Sequence, residues 1–248
     1  MIRKSFVILE GIGLQKEKNI WRNGINDWDS FIANKKINGI SELRKGYFDR
    51  QLVRAKKELK ENNSRFFANV LPSSETWRLY DEFRDECLFL DIETSNFYGN
   101  ITVIGMFDGN ETKQMVRGFN LDKNTLKKEL ERYKILVTFN GKSFDVPVIN
   151  RFFSMIVPQI PHIDLRHVCR KVGLTGGLKL IEKIVGIKRA FEVENLESED
   201  AIYLWGRWQK TGDRRYLEML AKYNEEDTIN LKPLMEHCYR KMEEKILV

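Results

Sequence analysis

The sequence predicts an α/β fold, a mixed sheet flanked by helices, preceded by a small, basic, all-helical region. An unbroken apolar run over residues 87–90 leads into D-I-E-T, a pattern typical of a buried strand. Further β-rich runs alternate with segments whose apolar residues have helical spacing. Positive charge is concentrated at the start, since residues 1–80 hold 16 Lys and Arg against 9 Asp and Glu, whereas residues 81–248 hold 26 against 27.

The change in charge divides the chain into a basic helical region at 1–80 and an α/β domain at 81–248. Uncompensated basic charge favours contact with a polyanion, and the alternative is a solvated helix face. We expect four helices in the basic region: to about Arg22, through Ile32, over residues 40–62, and from Ser73 or Ser74 through Tyr80.

A turn, Gly11-Ile12-Gly13, precedes the first of these helices. The segment near residues 5–32 resembles half of a helix-hairpin-helix element, in which such a turn offers backbone amides to a nucleic-acid phosphate. The resemblance implies that Gly11 and Gly13 contact substrate. An ordinary tight turn is the alternative.

In the α/β domain, Asp108-Gly109 between two β-rich runs predicts a hairpin, so the first three strands should form an antiparallel meander. A helical crossover should make the fourth strand parallel to the first. We expect strands at 87–94, 101–107, 112–119, 134–139 and 162–165, an irregular loop at 95–100, and helices at 121–133, after Asp145, from Arg166, after Gly177, at 196–208 and at 215–239.

The composition also indicates the cellular compartment in which the protein is expected. The 3 cysteines are far apart and have no metal-ligand spacing, which argues against a disulfide framework and favours a reducing environment. No apolar run approaches the roughly 18 residues of a membrane span, and the first ten residues are too short for a signal peptide. We therefore expect a cytoplasmic protein without a membrane partner.

Two carboxylates, Asp91 and Glu93, are the first candidates for a functional site. They are two residues apart on the predicted first strand, so they leave the same face of the sheet. Burying an unpaired carboxylate is costly, and a divalent cation such as Mg²⁺ would compensate for it. The alternative is a strand that ends at solvent with two exposed acids.

Two further patterns carry candidate residues. The segment N-G-K-S-F-D places Asp145 near a helix N-terminus after the fourth strand, where helix capping is the alternative role. Tyr223 and Asp227 are four residues apart and share one face of a late helix. Alone, such a pair is more typical of a helix surface than of a site.

In combination, D-I-E, N-x-x-x-F-D and Y-x-x-x-D resemble the DEDD (DnaQ-like) superfamily of 3′–5′ exonucleases, which have a ribonuclease H-like fold. The tyrosine-bearing branch fits best, since the histidine-bearing branch would have His where this chain has Lys222. Over residues 86–239 the chain is similar to YprB-type ribonuclease H-like proteins. The segment L-P-S-S-E-T-W-R-L-Y-D-E-F-R-D before the first strand also resembles that group.

The resemblance implies a two-metal mechanism with Mg²⁺ or Mn²⁺ held by four carboxylates. Asp91 would bridge the ions, Glu93 and Asp227 would hold the ion beside the nucleophile, and Asp145 would serve the leaving-group side. Tyr223 would orient the attacking water or the scissile phosphate.

The resemblance also extends to substrate binding. Asn140 would brace its loop or contact the terminal nucleotide, and Lys179 is assigned to substrate binding. Phe144 is expected in the core, with base stacking as the alternative. Single-stranded DNA is the favoured substrate and RNA the second candidate. The alternative function is a catalytically weak binding module or an adaptor with a nuclease-like fold, and no motif identifies a protein partner.

Overall fold

The computed structural model describes residues 1–95 and 100–247, which form two compact units. One comprises Met1–Arg84 with Gln159–Pro161, and the other comprises Asp85–Pro158 with His162–Val248. Most of the loop expected at 95–100 lies outside the described residues. Among the described helices, none is both long enough and apolar enough to cross a membrane. The division into a basic binding region and a nuclease domain stays a prediction.

The first unit is helical, as predicted, although two details differ. The segment after Pro72 forms a 3₁₀ helix instead of an α-helix, and the sequence did not predict the helix at Ser64–Val70. The elements are a 3₁₀ helix at Ile2–Lys4, α1 (Leu14–Arg22), α2 (Trp28–Ala33), α3 (Glu42–Lys60), α4 (Ser64–Val70) and a 3₁₀ helix at Ser73–Leu79.

A buried ion cluster joins the start of this unit to its end. The Arg78 guanidinium is fully buried and donates to Glu17 at 2.9 Å and to Glu75 at 2.8 Å. Glu17 also accepts the backbone N–H of Phe6 at 2.6 Å. These contacts fix the final 3₁₀ helix against the first residues of the chain.

The second unit is a five-stranded mixed sheet flanked by helices. The strand order is β3-β2-β1-β4-β5, in which β1–β2 and β2–β3 are antiparallel whereas β1–β4 and β4–β5 are parallel. Its elements are β1 (Cys87–Thr94), β2 (Ile101–Phe107), β3 (Thr112–Val116), α5 (Lys123–Leu130), β4 (Ile135–Thr138), α6 (Asp145–Phe153), β5 (His162–Asp164), α7 (Leu165–Lys171), α8 (Leu178–Val185), α9 (Ser198–Thr211) and α10 (Arg214–Leu247), with a 3₁₀ turn at Arg84–Glu86 before β1.

The antiparallel meander and the parallel crossover predicted from the sequence are both confirmed. The predicted end of the third strand is wrong, because β3 ends at Val116 instead of residue 119. Gly118 has a φ of +84°. The Asn120 side chain accepts from the Val116 N–H and donates to the Gln114 carbonyl, so it satisfies backbone groups of β3 that a further strand would otherwise pair. A left-handed glycine followed by this side-chain bridge forms a turn.

Helix α10 packs against β1 and β2 at a glycine. Gly105 of β2 pairs with Asp91 of β1, and a Cβ atom at Gly105 would overlap Thr228 Oγ1 and Asn224 Oδ1 of the helix. The missing side chain therefore permits the close approach of α10 to the centre of the sheet. This approach brings the polar face of α10 beside the carboxylates of β1.

Candidate active site

Three carboxylates converge where α10 passes over the sheet. One oxygen atom of each of Asp91, Glu93 and Asp227 lies within 4.8 Å of the other two. Asp91 and Glu93 come from the same face of β1, because they are two residues apart on a strand. Asp227 comes from α10, 134 positions beyond Glu93 in the sequence.

Asp145 adjoins this cluster from a third element. It is the first residue of α6, its N-cap is Phe144, and it is only 3% exposed. Burial raises the pKa of Asp145 to about 7, and hydrogen bonds from the backbone amides of Asp145 itself and of Ile92 oppose the rise. Since Ile92 lies between Asp91 and Glu93, the Asp145 carboxylate reaches the same end of β1.

The acids of the site raise one another's pKa values. Burial raises the pKa of Asp91 well above its ordinary value, and the neighbouring charges of Asp145, Asp227 and Glu93 raise it further. Burial likewise raises the pKa of Glu93, followed by repulsion from Asp227 and Asp145. Carboxylates crowded in this way are stabilised by positive charge, so the site favours a cation.

Asn224 orients one carboxylate of the cluster. Its Nδ2 donates to Asp91 Oδ2 at 2.9 Å, and its Oδ1 accepts from Gln114 Nε2 at 3.4 Å. The sequence analysis missed this residue. The available signal was its position three residues before Asp227, which places both side chains on one face of α10.

The analysis also missed a buried arginine that contacts the cluster. The Arg189 side chain is 5% exposed, and its Nη2 lies 2.5 Å from Asp227 Oδ1. The same guanidinium donates to Glu182 of α8 through Nε at 2.5 Å and Nη2 at 2.9 Å. Burial raises the pKa of Asp227 to about 6, and the charge of Arg189 opposes that rise.

Tyr223 and Lys179 lie together beside the acids. The Lys179 Nζ is 4.8 Å from the centroid of the Tyr223 ring and 3.6 Å from Glu197 Oε2. Tyr223 is buried, and it lines both of the cavities that reach Asp91 and Asp227.

Asn140 braces its loop. Its φ is +66°, its N–H donates to Asp164 Oδ1 at 2.8 Å, and its side-chain Oδ1 accepts from Arg166 Nη1 at 2.8 Å. Asp164 also accepts the N–H groups of Lys142 and Arg166. This network, centred on Asp164, holds the segment between β4 and α6 that delivers Asp145.

The prediction that Phe144 belongs to the core is wrong. Its side chain is 37% exposed and lines the smaller cavity, of about 330 Å³, together with Glu93, Asp145 and Tyr223. Phe144 precedes the first residue of α6, and at this helix start the chain directs Asp145 inward while leaving Phe144 at the cavity wall. An aromatic surface therefore adjoins the acids.

The sequence model of the RNase H superfamily matches residues 88–239, more than half of the chain. The matched segment contains the five residues Asp91, Glu93, Asp145, Tyr223 and Asp227. The chain belongs to the RNase H superfamily. No curated protein matches it significantly. The superfamily match does not distinguish the tyrosine-bearing exonuclease branch, so that assignment stays a prediction.

The donor set of this RNase H superfamily member fits a divalent metal. Hard cations such as Mg²⁺ and Mn²⁺ take carboxylate oxygens, and three such oxygens lie within 4.8 Å of one another. Burial raises the pKa of Asp91 and of Glu93, and repulsion from the neighbouring acids raises both further, so a bound cation would stabilise the charged carboxylates.

The two glycines predicted to bind substrate belong to the first unit. Gly11 has a φ of +74°, and its carbonyl accepts from Lys16 Nζ at 3.0 Å. Gly13 is the N-cap of α1. The element before this turn is a three-residue 3₁₀ helix, shorter than a helix-hairpin-helix would have, and phosphate contact here stays a prediction.

Proposed function

We propose that the protein is a metal-dependent 3′–5′ exonuclease, with single-stranded DNA as the favoured substrate and RNA as the second. The observation that carries this proposal is the convergence of four carboxylates from β1, α6 and α10, of which Glu93, Asp145 and Asp227 are buried, beside a buried tyrosine. The order of the three motifs along the chain supports the tyrosine-bearing exonuclease branch and hence the 3′–5′ direction. The cytoplasmic location belongs to the same proposal.

In this proposal four residues would hold two divalent ions, Mg²⁺ or Mn²⁺. Asp91 would be shared by both, Glu93 and Asp227 would serve the side of the attacking water, and Asp145 would serve the leaving-group side. When bound, such ions lower the pKa of water and neutralise charge that develops on the phosphate and the leaving oxygen. The protein contributes the orientation of the donors. Asn224 fixes Asp91, and Arg189 fixes Asp227.

Tyr223 would donate a hydrogen bond to the attacking water or to a phosphate oxygen. A phenol with an ordinary pKa near ~10 is a better hydrogen-bond donor at neutral pH than a general base. Asn140 and Lys179 line the larger cavity and would contact the nucleotide next to the scissile bond.

The test is degradation of single-stranded DNA and RNA with a 5′ label and, separately, a 3′ label, in Mn²⁺ or Mg²⁺. A 5′-labelled strand should shorten progressively, and Asp91→Asn or Asp227→Asn should abolish this. Neutralising Asp91 relieves repulsion among the crowded acids, and in Asp227→Asn the Arg189 guanidinium keeps its ion pair with Glu182, so neither change should unfold the protein. Glu218→Gln, an exposed position on α10, is the matched control and should trim normally. Normal trimming by Asp91→Asn would refute the assignment.

The alternative is a nucleic-acid-binding module or adaptor in which catalysis is weak or lost. It predicts strand binding without trimming in any divalent ion. Calorimetry with Mn²⁺ separates the two classes further. An adaptor without a metal site should give no heat, whereas the proposed enzyme should bind Mn²⁺ and lose that binding in Asp91→Asn.

A further inference from the structure

A pocket of about 770 Å³ lies beside the acid cluster in the second unit. Asp91, Tyr223 and Asp227 form its inner end, so it is continuous with the candidate active site. Residues of α7, of α8 and of the loop between them line most of the rest. We call it the cationic pocket, because four basic residues lie on its wall: Arg166, Arg170, Lys179 and Lys183.

The four cations differ in what they already bind. Arg166 donates to Asn140, and Lys179 lies 3.6 Å from Glu197, although its buried Nζ has no hydrogen-bond partner among the described residues. Arg170 and Lys183 are exposed, and within residues 1–95 and 100–247 neither forms an ion pair. Their charge is therefore available to a ligand.

The remaining wall also favours an anion. Gly177 is the N-cap of α8 and has no side chain that could cap the first turn of the helix. Free amides and the helix dipole at such an end attract negative charge. Two carboxylates, Glu194 and Glu197, line the pocket as well, so the four cations still outnumber the acids on this part of the wall.

We propose that the cationic pocket binds the sugar-phosphate backbone of one nucleic-acid strand, at the phosphates on the 5′ side of the scissile bond. The direction of the strand rests on the proposed exonuclease function. Four cations on one wall recognise phosphates without reading bases, so binding should be independent of sequence. The volume falls within the range of about 300–1,000 Å³ typical of small-ligand clefts, which suits a few nucleotides of a single strand.

The first test changes the two cations that have no ion pair. Arg170→Ala combined with Lys183→Ala is compared with a control, Lys123→Ala combined with Lys128→Ala, which removes the same charge from exposed positions on α5. Binding of a fluorescent single-stranded oligonucleotide is measured by anisotropy in EDTA, where no hydrolysis occurs. Each lost phosphate contact lowers the slope of log Kd against log salt by about 0.7, so the pocket variant should lose about 1.4. Equal slopes in the two variants would overturn the proposal.

The second test locates the phosphates. Oligonucleotides carry one neutral methylphosphonate linkage at the first, second, third or fourth position from the 3′ end. In the wild-type protein a neutral linkage inside the pocket should weaken binding. In the pocket variant the same linkage should reduce the affinity by a measurably smaller factor. The proposed placement would be overturned if each neutral linkage reduced the affinity of both proteins equally, or if the two proteins differed only for linkages near the 5′ end.

The two tests separate this inference from the exonuclease assignment. If the effect of a neutral linkage depends on the pocket residues but no trimming is found, the pocket is retained as a strand-binding site and the enzyme is rejected. Normal 3′ trimming with no effect of the pocket variant on binding or on salt dependence would retain the enzyme and reject the pocket.

Discussion

Replacing Arg189 with glutamine removes the guanidinium that lies between the buried carboxylates of Glu182 and Asp227. Removing one partner of a buried ion pair costs about 3–5 kcal/mol, since the other charge is left unpaired. A domain is stabilised in total by about 5–15 kcal/mol. We therefore expect Arg189→Gln to lose a large part of the free energy of unfolding.

The loss should depend on pH. The charge of Arg189 lowers the pKa of Asp227, which burial nevertheless raises to about 6, so this pKa rises further in the variant. As the pH falls from 8 to 5, the Asp227 carboxyl of the variant takes up a proton, and its part of the unpaired charge disappears. The difference from the wild type should therefore be larger at pH 8 than at pH 5.

Urea denaturation in EDTA at both pH values measures the effect. With an m-value of about 2 kcal/mol/M, the expected loss lowers the midpoint at pH 8 by about 1.5–2.5 M. Arg215→Gln is the control, because its ion pair with Asp213 at 2.7 Å is exposed and should contribute little. A midpoint for Arg189→Gln that matches this control at pH 8 would show that the buried pair does not support the fold.

Four further results are expected. Mn²⁺ affinity, measured by calorimetry, should weaken from pH 8 to pH 5. Burial raises the pKa of Asp145 to about 7 and that of Asp227 to about 6, so protons then compete with the ion. Without metal, the free energy of unfolding should increase over the same fall in pH, since the native carboxyls bind protons that the unfolded chain does not. A constant affinity would contradict this. Tyr223→Phe should slow trimming roughly 10²-fold through loss of one orienting hydrogen bond, with unchanged Mn²⁺ affinity, and a complete loss of activity would indicate that the phenol carries the proton. In thermal denaturation, Gly105→Ala should lower the free energy of unfolding by about 1–3 kcal/mol, because its Cβ overlaps α10. The control is Gly206→Ala, which should not lower it, because a Cβ there meets nothing within 4 Å.

The sequence predicted the sheet because its signals are local. The apolar run of β1 and the Asp108-Gly109 turn each lie within a few residues, and a helical crossover favours a parallel strand. The same holds for the placement of Asp91 and Glu93 on one face, which follows from strand geometry. Their proximity to Asp227 was implied by the family resemblance, not by periodicity.

The contacts that support the site could not be predicted in this way. Arg189 lies in an irregular segment between α8 and α9, where no periodicity indicates which side of the chain is buried. Its partners Glu182 and Asp227 depend on how α8 packs beside α10. The exposure of Phe144 likewise depends on the exact start of α6, and helix boundaries are the least certain part of a sequence-based prediction.

The hydrogen bond between Asn224 and Asp91 joins positions that are 133 residues apart, and this separation has a consequence for biosynthesis. Contacts between distant positions form late, because the entropy of closing the intervening chain must be overcome first. A growing chain can pair β1 with β2 and β4 long before α10 has been made, but it then holds only the carboxylates of β1 and α6. Because Asp227 arrives with α10, the cluster of Asp91, Glu93 and Asp227 is incomplete until that helix has been made.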